Sequence, residues 1–279
     1  MRPSIAAMST YELARAYETV NLHRAGGVAR IELNRPISMN AWNRQLGLDL
    51  LDAVEATAAD PGVRCVLLTG AGKSFSSGAD LKDMHQQELT AAGRPDVYKV
   101  LTERYHPIIT ALRTMEKPVV AAVNGPAVGI GLSLALAADL VVAAERAYFL
   151  LAFVNIGLVP DGGSSAFVSN RIGFPRAMEL AMLGERLPAT RALEWGLVNR
   201  VWPDDEFAQR SEALAARLAA GPTRSYAGSK RQLNAWMERG LAAQLELEAS
   251  IQREVAQSGD FLEGVSAFVQ KRQAVFEGS

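Results

Sequence analysis

The sequence predicts an α/β fold built on buried parallel strands, and two observations carry that prediction. Strand and helix signals alternate through roughly the first two-thirds of the chain, and several of the strands read as continuous apolar runs rather than alternating ones. A third observation concerns the remainder. From about Asp204 the strand signals stop, and four helical segments follow, separated by Gly-Pro or Gly.

The N-terminal stretch, MRPSIAAMSTYELARAYETV, has no apolar run and reads as a frayed start or a short helix. It lacks the apolar centre of a secretory signal, and Glu12 and Glu18 argue against a transit peptide. Residues 28–34 (VARIELN) alternate as a half-exposed strand. Leu46, Leu50, Leu51, Val54 and Ala58 recur at helical spacing across 45–58. Residues 63–69 form a buried strand, 97–115 a long helix ended before Pro118, and 117–123 (KPVVAAV) a second buried strand. An Ala/Leu-rich helix (LSLALAAD) leads to a third, 140–144. A boundary near Pro203 divides an α/β core, 1–203, from a helical part, 204–279. No Pro-, Gly- or Ser-rich linker separates them, so the helices are expected to dock on the core.

Composition bounds the function. The 279 residues are 49% hydrophobic and 21% charged with a net charge of −1, which is ordinary for a globular protein. Near-neutral charge offers no electrostatic case for nucleic acid or anionic membrane as partners. The one cysteine, Cys65, sits in the apolar run VRCVLL and reads as a small buried hydrophobe. No apolar stretch is long enough to span a bilayer, and the cytoplasm is the expected location. His23, His85 and His106 are scattered without metal-ligand spacing, so no metal site is expected.

Three loops carry chemistry. LLTGAGKSFSSGADL has the look of a phosphate loop, but a P-loop ending in Gly72-Lys73-Ser74 needs its first glycine at position 67, which is Leu67. What remains is a strand ending in the turn Ser76-Ser77-Gly78-Ala79, before a helix start at Asp80. The second loop, VNGPAVGIGLSLALAAD, places Gly125, Gly129 and Gly131 outside the dinucleotide fingerprint, again at the start of a helix. The third, FVNIGLVPDGGSSAF, puts the carboxylate of Asp161 at a turn. Two turns that present N–H groups and one carboxylate suit enolate chemistry. The N–H groups hold a carbonyl oxygen, and the carboxylate moves a proton beside it.

In order and spacing, NRPISMNAW, SFSSGADL, VNGPAVGIGLSLALAADLVVAAE and FVNIGLVPDGGSS resemble the crotonase superfamily of enoyl-CoA hydratases and isomerases. The resemblance covers nearly the whole chain. It implies a crotonase-like spiral of ββα units, a helical C-terminal trimerisation region, and a homotrimer or dimer of trimers. It also implies an acyl-CoA thioester as substrate, with CoA arriving as part of it and no separate cofactor. Carried over by position, the oxyanion donors are the backbone N–H groups of Ala79 and Ile130. Ser77, Gly78, Gly129, Gly131 and Phe153 are implied to line the substrate site, and Arg35 and Lys82 to reach CoA phosphates. His85 and Glu88 fall where the family has a helix over the acyl chain. The two glutamates of the hydratases are replaced by Ser133 and Phe153, which argues against hydration. Asp161 matches the catalytic carboxylate of several isomerases, and GLVPDGG resembles the ring-1,2-epoxyphenylacetyl-CoA isomerase branch. The expected function is therefore acyl-CoA isomerisation, with a hydratase using another base, or a silent acyl-CoA-binding trimer, as the rivals.

Overall fold

A computed structural model describes residues 10–82, 89–91, 93–237 and 240–277. In chain order the elements are β1 (Glu12–Ala16), β2 (Val20–Ala25), β3 (Val28–Leu33), α1 (Arg44–Ala59), β4 (Cys65–Gly70), α2 (Val97–Val100), α3 (His106–Thr114) and β5 (Val119–Val123). Then come β6 (Ala127–Val128), α4 (Ile130–Leu136), β7 (Leu140–Ala144), β8 (Tyr148–Leu150), α5 (Ser164–Ile172), α6 (Phe174–Leu183), β9 (Leu187–Pro188), α7 (Ala189–Trp195) and β10 (Arg200–Trp202). Four helices close the chain: α8 (Phe207–Ala219), α9 (Thr223–Met237), α10 (Leu241–Val255) and α11 (Gly259–Gln270).

The main sheet has the order β1-β2-β3-β4-β5-β7-β10. Its first two pairings are antiparallel, and every pairing from β3 onward is parallel. Strand alternation sorts the buried side chains onto two faces. Val66 and Leu68 join the large core with α1, α3 and α4, whereas Cys65 and Leu67 face a second cluster closed by Phe207, Ala215 and Ala219 of α8. Cys65 is thus a core residue, its thiol pushed up to about 12 by burial.

A second, smaller layer explains the repeat. After β3, β4, β5 and β7 the chain crosses into short extended pieces. Trp42 bridges Ala79, Ser76 bridges Ala127, β6 pairs with β8, and β8 with β9. Strand, short strand and helix recur as β5-β6-α4 and β7-β8-α5, the ββα unit that the resemblance implies.

Two expectations are corrected. Of the N-terminal stretch, residues 1–9 lie outside the described residues, and Glu12–Ala16 is an edge strand against β2 rather than part of a helix. All five of its residues are exposed, so no face left a period of two in the sequence. The helix expected over 97–115 is not uniform, because Leu101–Tyr105 is a π-helical turn in which the His106 N–H donates to Leu101 O. Pro107 has no N–H for the i−4 carbonyl of Glu103, which loosens the ladder at this point.

Candidate active site

The two glycine-rich turns run side by side. The Ser76 N–H donates to Pro126 O at 3.0 Å and the Val128 N–H donates to Ser76 O at 3.0 Å, so the segment from Ser76 keeps parallel register with the one from Ala127. Further on, Gly78 lies against Val128 and Gly129, and Ala79 and Ile130 are the residues that follow. Glycine is what allows the approach: a Cβ on Gly131 would lie 2.6 Å from Ser76 Cβ, and one on Gly78, where φ is +89°, would lie 2.9 Å from Val128 O. Gly131 is therefore packed behind the site as a spacer rather than in its wall.

Among the described residues, neither the Ala79 nor the Ile130 N–H meets an acceptor. Ile130 is the first residue of α4, where an N–H has no partner within the helix. Both residues line a cavity of about 360 Å³ together with Ser77, Gly78, Gly129, Phe153 and Asp161. Most of the remaining wall is apolar, with Leu101 and Tyr105 from the π turn and Phe261 and Phe268 from α11.

Among the described residues, Asp161 is the single carboxylate in that wall. It is buried, with Oδ2 accepting from Gln252 Nε2 at 2.9 Å and Oδ1 without a partner among the described residues. Burial pushes its carboxyl from 3.8 to about 8, the Gln252 hydrogen bond opposes the rise, and the charge of Glu248 adds to it. The Asp161 turn is pinned through its backbone, since its carbonyl accepts from the Ser133 and Ser164 hydroxyls, both at 2.8 Å. Ser133 is thus a buried strut between α4 and the turn. The Ile130 side chain packs against the same turn, where a Cβ on Gly162 would come within 2.5 Å of Ile130 Cδ1.

Other expected site residues stand elsewhere. Lys82 is exposed and outside the cavity wall. Arg35 is engaged internally, donating to Ala41 O and pairing with Asp80 at 3.0 Å. His85 and Glu88 lie outside the described residues.

Sequence reasoning passed over three residues. Tyr105, the last residue of the π turn, lines the cavity, and its ring meets Trp42 edge-on at 5.1 Å. Glu248 and Gln252 come from α10. Glu248 accepts from the Gly163 N–H at 2.7 Å and from the Ser165 hydroxyl at 2.5 Å, while Gln252 Oε1 accepts from the Val159 N–H at 3.2 Å. A signal existed: these two polar residues share the buried face of α10 with Leu245 and Ala249 at helical spacing.

Paired unpartnered N–H groups beside a buried carboxylate can stabilise an enolate and shuttle a proton next to it. The family model described as enoyl-CoA hydratase/isomerase matches residues 23–279. The chain belongs to the enoyl-CoA hydratase/isomerase family. It is therefore a member of an enzyme family acting on CoA thioesters, with the crotonase fold.

Relatives of this family carry both names. The chain is 41% identical over 263 residues to a Rhodobacter capsulatus protein described as "Probable enoyl-CoA hydratase", covering 94% of this chain and 99% of that one. It is 39% identical over 261 residues to the 1,2-epoxyphenylacetyl-CoA isomerase of Escherichia coli, covering 94% and 99%. A solved enoyl-CoA hydratase from Mycobacterium avium subsp. paratuberculosis superposes with a TM-score of 0.85 at 39% identity, covering 94% of this chain and all of that one. Among the described residues, no helix is long and apolar enough to cross a membrane.

Proposed function

We propose that this member of the family is an isomerase of acyl-CoA thioesters, with Asp161 as its one proton-transferring residue and the Ala79 and Ile130 N–H groups as its oxyanion hole. The observation that carries the proposal is the cavity wall itself, where Asp161 is the single carboxylate among the described residues; Phe153, by the family resemblance, stands where the hydratases have a glutamate. Adding water to a conjugated double bond calls for one group to deprotonate water and another to deliver the α-proton. Shifting a double bond calls for one. Asp161, ionised, takes a proton from C2 of a 3-enoyl-CoA, and the thioester oxygen gains charge between the two N–H groups. The same carboxyl returns the proton at C4, leaving the double bond between C2 and C3. A midpoint near 8 makes Asp161 a far stronger base than an exposed aspartate.

The Escherichia coli relative's name favours a second substrate class, a ring epoxide beside the thioester, for which the same enolate stabilisation serves. The same reading has the protein act in the cytoplasm as a homotrimer or dimer of trimers joined through residues 204–279, and the exposed Leu233, Trp236 and Met237 of α9 support it.

The test is conversion of a 3-enoyl-CoA to the conjugated 2-enoyl-CoA, followed by ultraviolet absorbance, for wild type and Asp161→Asn. Wild-type turnover with a loss of at least about 10²-fold in the variant is expected. Equal rates would place the base elsewhere, and hydration of a 2-enoyl-CoA run in parallel would revive the hydratase reading.

A further inference from the structure

Asp161 alone does not settle which of its two oxygens meets the substrate, and the residue in contact with it comes from the far end of the chain. Gln252 is fully buried on α10, 91 positions away. Both ends of its amide are committed. Nε2 donates to Asp161 Oδ2 at 2.9 Å, and Oε1 accepts from the Val159 N–H at 3.2 Å. Fixing Oε1 on a backbone donor fixes the flip of the amide, so Nε2 can only point at the carboxylate. One helical turn earlier, Glu248 grips the far side of the same turn through Gly163 and Ser165. Helix α10 thus holds the 159–165 segment at both ends and its carboxylate in the middle. Oδ1 is the oxygen left over, in a residue that lines the cavity.

We propose that Gln252 is the positioning residue of this site: its amide holds Oδ2 of Asp161 and leaves Oδ1 as the oxygen that accepts and returns the substrate proton. The proposal rests on Asp161 being the base. It adds that a residue of the C-terminal helices sets both the aim of that base and its proton affinity. A donor on Oδ2 favours the charged carboxylate and opposes the desolvation around it. Without the donor, Asp161 would be ionised only at higher pH and free to rotate about χ2.

Among the described residues, few groups could confuse a pH profile. Glu248 faces Asp161 from α10, Tyr105 from the π turn, and Arg272 lines the cavity while paired with Glu263. Burial keeps the Tyr105 phenol neutral through the working range. Glu248 is itself raised by burial, so the acid limb belongs to a pair. Gln252 is hydrogen-bonded to Asp161, not to Glu248, so a limb that moves on changing Gln252 reports on Asp161.

The experiment is the pH dependence of kcat/KM and kcat on a 3-enoyl-CoA for wild type, Gln252→Met, Gln252→Glu and Asp161→Asn, all as the full chain in its native assembly. Methionine fills the volume without a donor, and its rising limb is expected about one pH unit higher. On the plateau kcat is expected to fall about tenfold with little change in KM, because the base is less well aimed. Glutamate keeps the shape but brings a second acid, and its limb is expected to move further still. If Gln252→Met folds and its kcat/KM drops by one factor at every pH, Gln252 is merely structural and the proposal fails. If Gln252→Met does not fold, the glutamate variant decides: a limb at the wild-type pH overturns the proposal. Full activity in Asp161→Asn would remove the base assignment and this inference with it. An inactive Asp161→Asn beside an unmoved Gln252→Met limb would remove this inference alone.

Discussion

Asp161→Asn should trade activity for stability, and the trade should depend on pH. Burial moves the carboxyl from 3.8 to about 8. A raised acid pKa contributes stability that is complete below 3.8 and lost as the pH climbs through about 8. Relative to a permanently neutral side chain, wild type has lost about 2 kcal/mol at about pH 5.5 and about 6 kcal/mol at about pH 9. Asparagine carries no charge and can still accept from Gln252. Its new amide N–H groups face the unpartnered Oδ1 side, a penalty of about 1–3 kcal/mol at any pH. The variant should therefore be close to wild type at about pH 5.5 and gain about 3 kcal/mol on it by about pH 9. Urea unfolding at both pH values, at one fixed protomer concentration, measures the difference. A gap between the two proteins that is the same at both pH values would refute the reasoning, because it would mean that Asp161 does not titrate in this window.

Three further outcomes follow from the same geometry. Isomerase kcat/KM should rise with pH to a midpoint near 8, since only the ionised Asp161 accepts a proton; a flat profile down to about pH 6 would contradict its burial. Gly78→Ala forces a Cβ to within 2.9 Å of Val128 O at a φ of +89°, prising the two turns apart, and should lower kcat by about 10²-fold while the fold survives. Replacing both Leu233 and Trp236 of α9 by aspartate should shift sedimentation toward smaller species, and an unchanged profile would remove these side chains from the proposed assembly.

The sequence carried a great deal of this protein. The apolar runs 63–69, 117–123 and 140–144 become adjacent parallel strands, because a strand buried on both faces must be apolar throughout. The turns around Gly78 and Gly131 were legible for a related reason: a backbone that must approach another backbone can carry no Cβ, and that requirement is written in the residue type. Tertiary structure decided what no local rule encodes. Glu12–Ala16 is a strand only because β2 offers it an edge, and Tyr105 lines the cavity from a π turn beside Pro107 that no sequence period announces. The sequence marked Asp161 as a candidate carboxylate, but its burial and the Gln252 amide that arrives from α10 to hold it came only with the fold. Desolvation and a hydrogen bond across 91 positions depend on which surfaces meet once the chain has folded, and neither leaves a periodicity in the sequence.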